Sequence, residues 1–131
     1  MDVNIINECA VSSLAGTMSF PLVINKLISA GIERYIVDLV GLKKIYYSEQ
    51  GEAYFTSLDF PILEVASTLD VTAIKNALHA IQQSNIDYRT FLQHIITAGC
   101  CHYKVFITGK KVIYFGRDGS QYVELFPAKK S

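Results

Sequence analysis

Tryptophan is absent from this 131-residue chain, and proline and cysteine occur three times each. The cysteines, Cys9, Cys100 and Cys101, are odd in number and lack the spacing of a disulfide scaffold, so reduced thiols are expected. No long apolar run is present. The longest uncharged stretch, Cys9 to Asn25, is broken by Ser12, Ser13, Gly16, Thr17, Ser19 and Pro21, which excludes a bilayer span of roughly 20 apolar residues. No basic residue precedes Lys26, as the start of a secretory signal would require. A cytoplasmic protein without a membrane partner is the expectation. Net charge is also missing: 12 basic side chains face 12 acidic ones. A general polyanion binder needs a cationic excess to neutralise phosphates, so nucleic acid is not an expected partner.

What is present is apolar content. Half of the residues are hydrophobic and mean hydropathy is +0.26, which excludes disorder as the main state. The length fits one domain, here taken as 1–131.

A shift of 68 residues aligns the chain with itself without a gap. Asp2-Val3 falls on Asp70-Val71, Ala30-Gly31 on Ala98-Gly99, and Tyr35 on Tyr103. Gly41 meets Gly109, Ile45-Tyr46 meets Ile113-Tyr114, Gly51 meets Gly119 and Tyr54 meets Tyr122. Chance does not keep glycines at three separate turns, so the domain reads as two repeats, about 2–56 and 70–124, with residues 57–69 between them. In each repeat two helical stripes come first. Phe20, Val23, Ile24, Leu27 and Ile28 recur as Tyr88, Phe91, Leu92, Ile95 and Ile96, at the spacing of one helix face. Ser19 and Asp87 stand at the N-cap of that second helix, and Gly31 and Gly99 at its C-terminal end, where a positive φ is expected. Three short strands rich in Tyr, Val and Ile follow, separated by glycine turns. The predicted fold is α+β: a tandem duplication of an ααβββ unit, an antiparallel sheet with helices packed on one face.

Strand alternation separates two sets of side chains. Val37, Leu39, Ile45, Tyr47 and Phe55, with Val105, Ile107, Ile113, Phe115, Val123 and Leu125, form an apolar set assigned to the helix-covered face. The other set holds Ile36, Asp38, Lys44, Tyr46, Glu52 and Tyr54, with Lys104, Phe106, Val112, Tyr114, Tyr122 and Glu124, and is assigned to an open face. Tyrosine joins an apolar body to a polar tip, which suits a partner-binding surface. Tyr46, Tyr54, Tyr114 and Tyr122 are therefore candidate binding residues and the basis of an expected homodimer. Their use as a nucleobase platform is disfavoured by Asp38, Glu52 and Glu124 in the same set.

The string Ala98-Gly99-Cys100, Tyr103, Val105, Gly109, Tyr114-Phe115-Gly116-Arg117, Gly119 and Glu124-x-Phe126-Pro127 resembles a small bacterial family of unknown function, DUF1398, some of whose members are labelled phage envelope protein. The resemblance implies a small bacterial or prophage-encoded protein and brings no activity with it.

Chemical motifs are sparse. Cys100-Cys101-His102 joins thiols to an imidazole, yet it follows a helix C-terminus, whose dipole opposes a thiolate, and the first repeat has Ile32-Glu33-Arg34 there. His79, His94 and His102 lack metal-ligand spacing, so neither a metal nor a cofactor is assigned. No acid–base or nucleophile constellation marks catalytic residues. Two functions follow. One is a non-enzymatic, self-associating interaction module. The other is a small-molecule binder or enzyme with its site in the groove between the repeats, drawing on residues that differ between them: Cys100, His102, Lys104 and Glu124.

Overall fold

The computed structural model describes residues 1–126. Pro127, the end of the C-terminal string, lies outside them. Helices α1 (Val3–Leu14) and α2 (Phe20–Ser29) precede strands β1 (Ile32–Asp38), β2 (Lys43–Ser48) and β3 (Ala53–Ser57). The order repeats as α3 (Val71–Gln82), α4 (Tyr88–Thr97), β4 (Cys100–Phe106), β5 (Lys111–Gly116) and β6 (Gln121–Leu125). The protein is thus α+β, with two ααβββ units. Among the described residues no helix is long and apolar enough to cross a membrane.

The local chemistry explains the ends of these elements. Asp2, Asp70 and Asp87 each accept a backbone N–H in the first turn of α1, α3 and α4, which satisfies donors the helix leaves orphaned. Ser19 stands at the N-cap of α2 without a side-chain cap bond. Gly31 and Gly99 close α2 and α4 at φ +84° and +95°. Left-handed backbone recurs at the same offset: Gly16 and Ser84, Leu42 and Lys110, Gly51 and Gly119.

The six strands form one antiparallel sheet in the order β3-β2-β1-β4-β5-β6. The units meet at β1 and β4, where Ile36 pairs with Lys104, its own counterpart in the other unit. A local twofold axis therefore passes through that pair. Ile6, Leu27, Val37, Ile74, Leu92, Ile95 and Val105 are buried between the helices and one face of the sheet.

The assignment of strand faces needs correction. Val37, Leu39, Val105 and Ile107 lie under the helices as expected. Tyr46 and Tyr114 lie there too, 2 % and 4 % exposed, together with Lys44 and Val112. Tyr54 and Tyr122 are half-buried on that same side, in register with Tyr46 and Tyr114. The open face instead carries Phe55, Ile45, Ile36, Lys104, Ile113 and Val123 as one row across all six strands. Tyr47, Arg34, Phe106, Lys111 and Leu125 flank it on one side, and Lys43, Asp38, His102 and Phe115 on the other.

The physical reason is turn length. Asp38 pairs with Lys43 across four loop residues, so an odd position of β1 shares its face with an even position of β2. One residue of register exchanges every side chain between faces.

Candidate functional site

Where the two helix pairs meet over the sheet, a cavity of about 1280 Å³ opens. Its floor is built by Tyr35 of β1, Lys44 and Tyr46 of β2, Tyr103 of β4, and Val112 and Tyr114 of β5. Cys9 and Val23 line it from the first helix pair, and Leu78, Tyr88 and Phe91 from the second. Protein interiors hold few voids larger than a water molecule, and ligand pockets commonly measure roughly 300–1,000 Å³. This space, at about 1280 Å³, lies above the upper end of that ligand-pocket range.

The floor is aromatic and hydroxylated. Tyr35 stacks on Tyr46 with ring centroids 5.2 Å apart, and Tyr103 packs on Tyr114 at 5.5 Å. The hydroxyls of Tyr88 and Tyr103 hydrogen-bond to each other. Those of Tyr35 and Tyr114 have no protein partner among the described residues. Burial, the largest influence, raises the pKa of Tyr35, Tyr103 and Tyr114 well above the ordinary phenol value. At neutral pH the phenols are uncharged hydrogen-bond donors.

Lys44 is the charged group in this floor. It is 4 % exposed and forms no ion pair among the described residues. Its Nζ lies 5.0 Å from the centroid of the Tyr88 ring, within the range of a cation–π contact. Beside it in register, Thr56 holds a buried Oγ1 without a hydrogen-bond partner. Burial opposes the ammonium charge, but the Tyr88 and Tyr46 phenols outweigh it and raise the pKa. Lys44 therefore stays a cation.

The duplication makes these residues stand out. Tyr35 and Tyr103 are equivalent and identical, as are Tyr46 and Tyr114. The counterpart of Lys44, however, is Val112, and that of Tyr88 is Phe20, both also in the cavity lining. One unit has an apolar residue where the other buries a cation, and the hydroxyl-bearing ring faces that cation.

The sequence-predicted residues divide into separate places. Tyr46, Tyr114 and Glu124 line the cavity. Tyr122 donates its hydroxyl to Glu124 Oε2 at 2.8 Å, and Tyr54 donates to Asn7 Oδ1 of α1 at 3.1 Å. His102 and Lys104 belong to the open sheet face, both against the Phe115 ring, at 4.6 Å and 5.1 Å from its centroid. Cys100 is fully buried, and desolvation pushes its thiol up to about 12. A bulge between Cys100 and His102 brings Cys101 Sγ to 3.4 Å from His102 Nδ1. Burial raises that thiol too and lowers the His102 imidazole. This is a neutral thiol beside a neutral ring, the opposite of an activated pair.

Lys44, Tyr88, Tyr35 and Tyr103 escape sequence reasoning as site residues. The available signal is the lysine–valine mismatch at equivalent positions. It is masked while Lys44 is assigned to the open face, where a lysine is ordinary.

A family model described as protein of unknown function, DUF1398, matches residues 57–124. That is more than half of the chain, and the protein belongs to this family. The match spans the connection and nearly all of the second ααβββ unit. No curated protein matches the chain.

Proposed function

We propose that the protein binds a small organic molecule in the cavity between its two units. The observation that carries this reading is the buried, unpaired Lys44 in a floor that is otherwise symmetric and aromatic. A group kept at such a position for packing alone would be apolar, as Val112 is. Buried charge costs free energy unless something pairs with it.

The absence of tryptophan makes a direct test simple. Phe20 lines the cavity and is 41 % exposed, so Phe20→Trp supplies a single fluorescent reporter. A panel of flat aromatic fragments should change its emission saturably. The same fragments should raise the unfolding free energy of the parent by about 2.7 kcal/mol at a hundredfold excess over Kd. Val112→Phe, which fills the floor from the second unit, should remove both responses while the protein stays folded. Fragments that bind Val112→Phe as well as the parent would place them elsewhere and end this reading.

Self-association is a second reading, moved from the tyrosines to the open sheet face. Phe55, Val123 and Leu125 are 61 %, 45 % and 68 % exposed there, and the central row is apolar on every strand but β4, where Lys104 stands. Arg34 packs over Tyr47, 3.9 Å from the ring centroid, and Lys43, Asp38, Lys104 and Lys111 add charge around the apolar residues. Contiguous apolar patches of this kind mark association sites, and two such faces could remove more than about 1,000 Å² in total. Sedimentation should show a parent dimer that Phe55→Ser/Val123→Ser converts to monomer. A monomeric parent removes this reading.

A further inference from the structure

We propose that the occupant of the cavity is an aromatic monocarboxylate whose carboxylate is held by Lys44 Nζ. The inference rests on the cavity reading and adds the ligand's chemistry.

Charge sets the head group. Among the described residues Lys44 is the one lysine or arginine in the lining, and it is buried. Two acidic residues, Asp87 and Glu124, also line the cavity, but both are more exposed and both are occupied. Asp87 accepts the Thr90 backbone N–H at 2.9 Å, and Glu124 accepts the Tyr122 hydroxyl. The lining thus holds two engaged carboxylates and a single cation. One ammonium neutralises a carboxylate, whereas a phosphate dianion would retain excess charge beside Asp87 and Glu124. The Tyr35 and Tyr114 hydroxyls, which line the cavity without a protein partner among the described residues, complete the receptor as donors to an oxyanion. Charge-assisted bonds of this type are roughly twice as strong as neutral ones.

The walls set the body. Tyr35, Tyr46, Phe91, Tyr103 and Tyr114 offer ring faces and edges on several sides, a geometry that accepts a flat ring by stacking or edge contact. The departures from symmetry agree with an off-axis head group. Lysine stands at one position where the other unit has valine, a hydroxyl-bearing ring stands at the other where its counterpart is phenylalanine, and the lysine and the tyrosine face each other.

The test compares three probes of one shape: 2-naphthoate, the neutral isostere 2-naphthamide, and 2-naphthyl phosphate. Calorimetric titration of the parent should give naphthoate an affinity about tenfold or more above naphthamide, as expected for one charge-assisted contact, with the phosphate weaker than the carboxylate. In Lys44→Met naphthoate should fall to the level of naphthamide, and naphthamide should hold its affinity. The comparison within the parent needs no variant, so a poorly folded Lys44→Met leaves the inference testable. If naphthamide binds as tightly as naphthoate, the cavity reading stands and the carboxylate inference is overturned. A phosphate that binds tightest overturns the monoanion. If none of the three binds while other neutral fragments do, the carboxylate inference alone is lost; if nothing binds, the cavity reading falls and takes the inference with it.

Discussion

Raising the pH past 10 should unfold the protein steeply, within a few pH units and together with ionisation of its buried phenols. Tyr35, Tyr46, Tyr103 and Tyr114 are buried on the sheet, and burial raises the pKa of each. Above pH 10 the unfolded chain releases these protons and the folded chain keeps them. The unfolded state then binds fewer protons, and stability falls as pH rises. Each such phenol removes up to about 1.4 kcal/mol per pH unit, and four remove on the order of 5 kcal/mol per unit. Domains have about 5–15 kcal/mol in total. Lys44 acts in the same direction, because its raised pKa gives a contribution present below the unfolded lysine pKa and lost as pH rises through the folded one. The Cys100 thiol, at about 12, adds to the alkaline loss. Phenolate absorbance and far-ultraviolet dichroism recorded on one sample decide the matter. The rise in phenolate absorbance from the four buried phenols should coincide with loss of dichroism. Tyr35→Phe/Tyr114→Phe, which deletes two hydroxyls without protein partners among the described residues, should move unfolding to higher pH. Full ionisation of all eight tyrosines with native dichroism would contradict their burial.

The architecture was legible in the sequence because it is written twice. The stripe of the second helix, the aspartate that caps the first and the left-handed turns recur at one offset, so local signals confirm each other. The pairing of faces was not legible. Ile45, Phe55, Ile113 and Val123 are as apolar as core residues, whereas Tyr46 and Tyr114 look amphipathic, so composition pointed the wrong way. What decides the faces is the four-residue connection from Asp38 to Lys43, and short loops around glycine fix parity only once their length is known. The site was hidden by the same error. With Lys44 on the open face it is a solvated lysine; moved to the covered face it becomes a buried cation with no carboxylate partner among the described residues. Residues that differ between copies fall in different parts of the fold. Of those singled out, Glu124 lines the cavity, whereas Cys100 is core and His102 and Lys104 belong to the far side of the sheet.

Gly99→Ala should cost far more than Gly31→Ala, although the two glycines are equivalent in the duplication. Both close a helix with positive φ, +84° and +95°, so either alanine meets the strain of a Cβ in the left-handed region, on the order of 1 kcal/mol. At Gly31 nothing lies within 4 Å of the added Cβ, and the cost ends there. At Gly99 the Cβ would stand 2.2 Å from the Thr68 carbonyl oxygen and 2.8 Å from its carbon. These are backbone atoms, and no rotamer change moves them aside. They are held in place because Asp70 donates its N–H to the Ala98 carbonyl at 2.7 Å, which ties the start of α3 to the end of α4. Relief requires that tie to lengthen and the segment before α3 to lift, exposing Leu69 and Val65, now 9 % and 8 % exposed. A lost backbone bond and lifted apolar contacts add to the φ strain, giving about 3 kcal/mol or more for Gly99→Ala against about 1 kcal/mol for Gly31→Ala. Urea unfolding of the two variants beside the parent measures both. Equal losses would mean that residues 68–70 do not press on the helix end as described. A small loss at Gly99 with a large one at Gly31 would reverse the packing order of the two units.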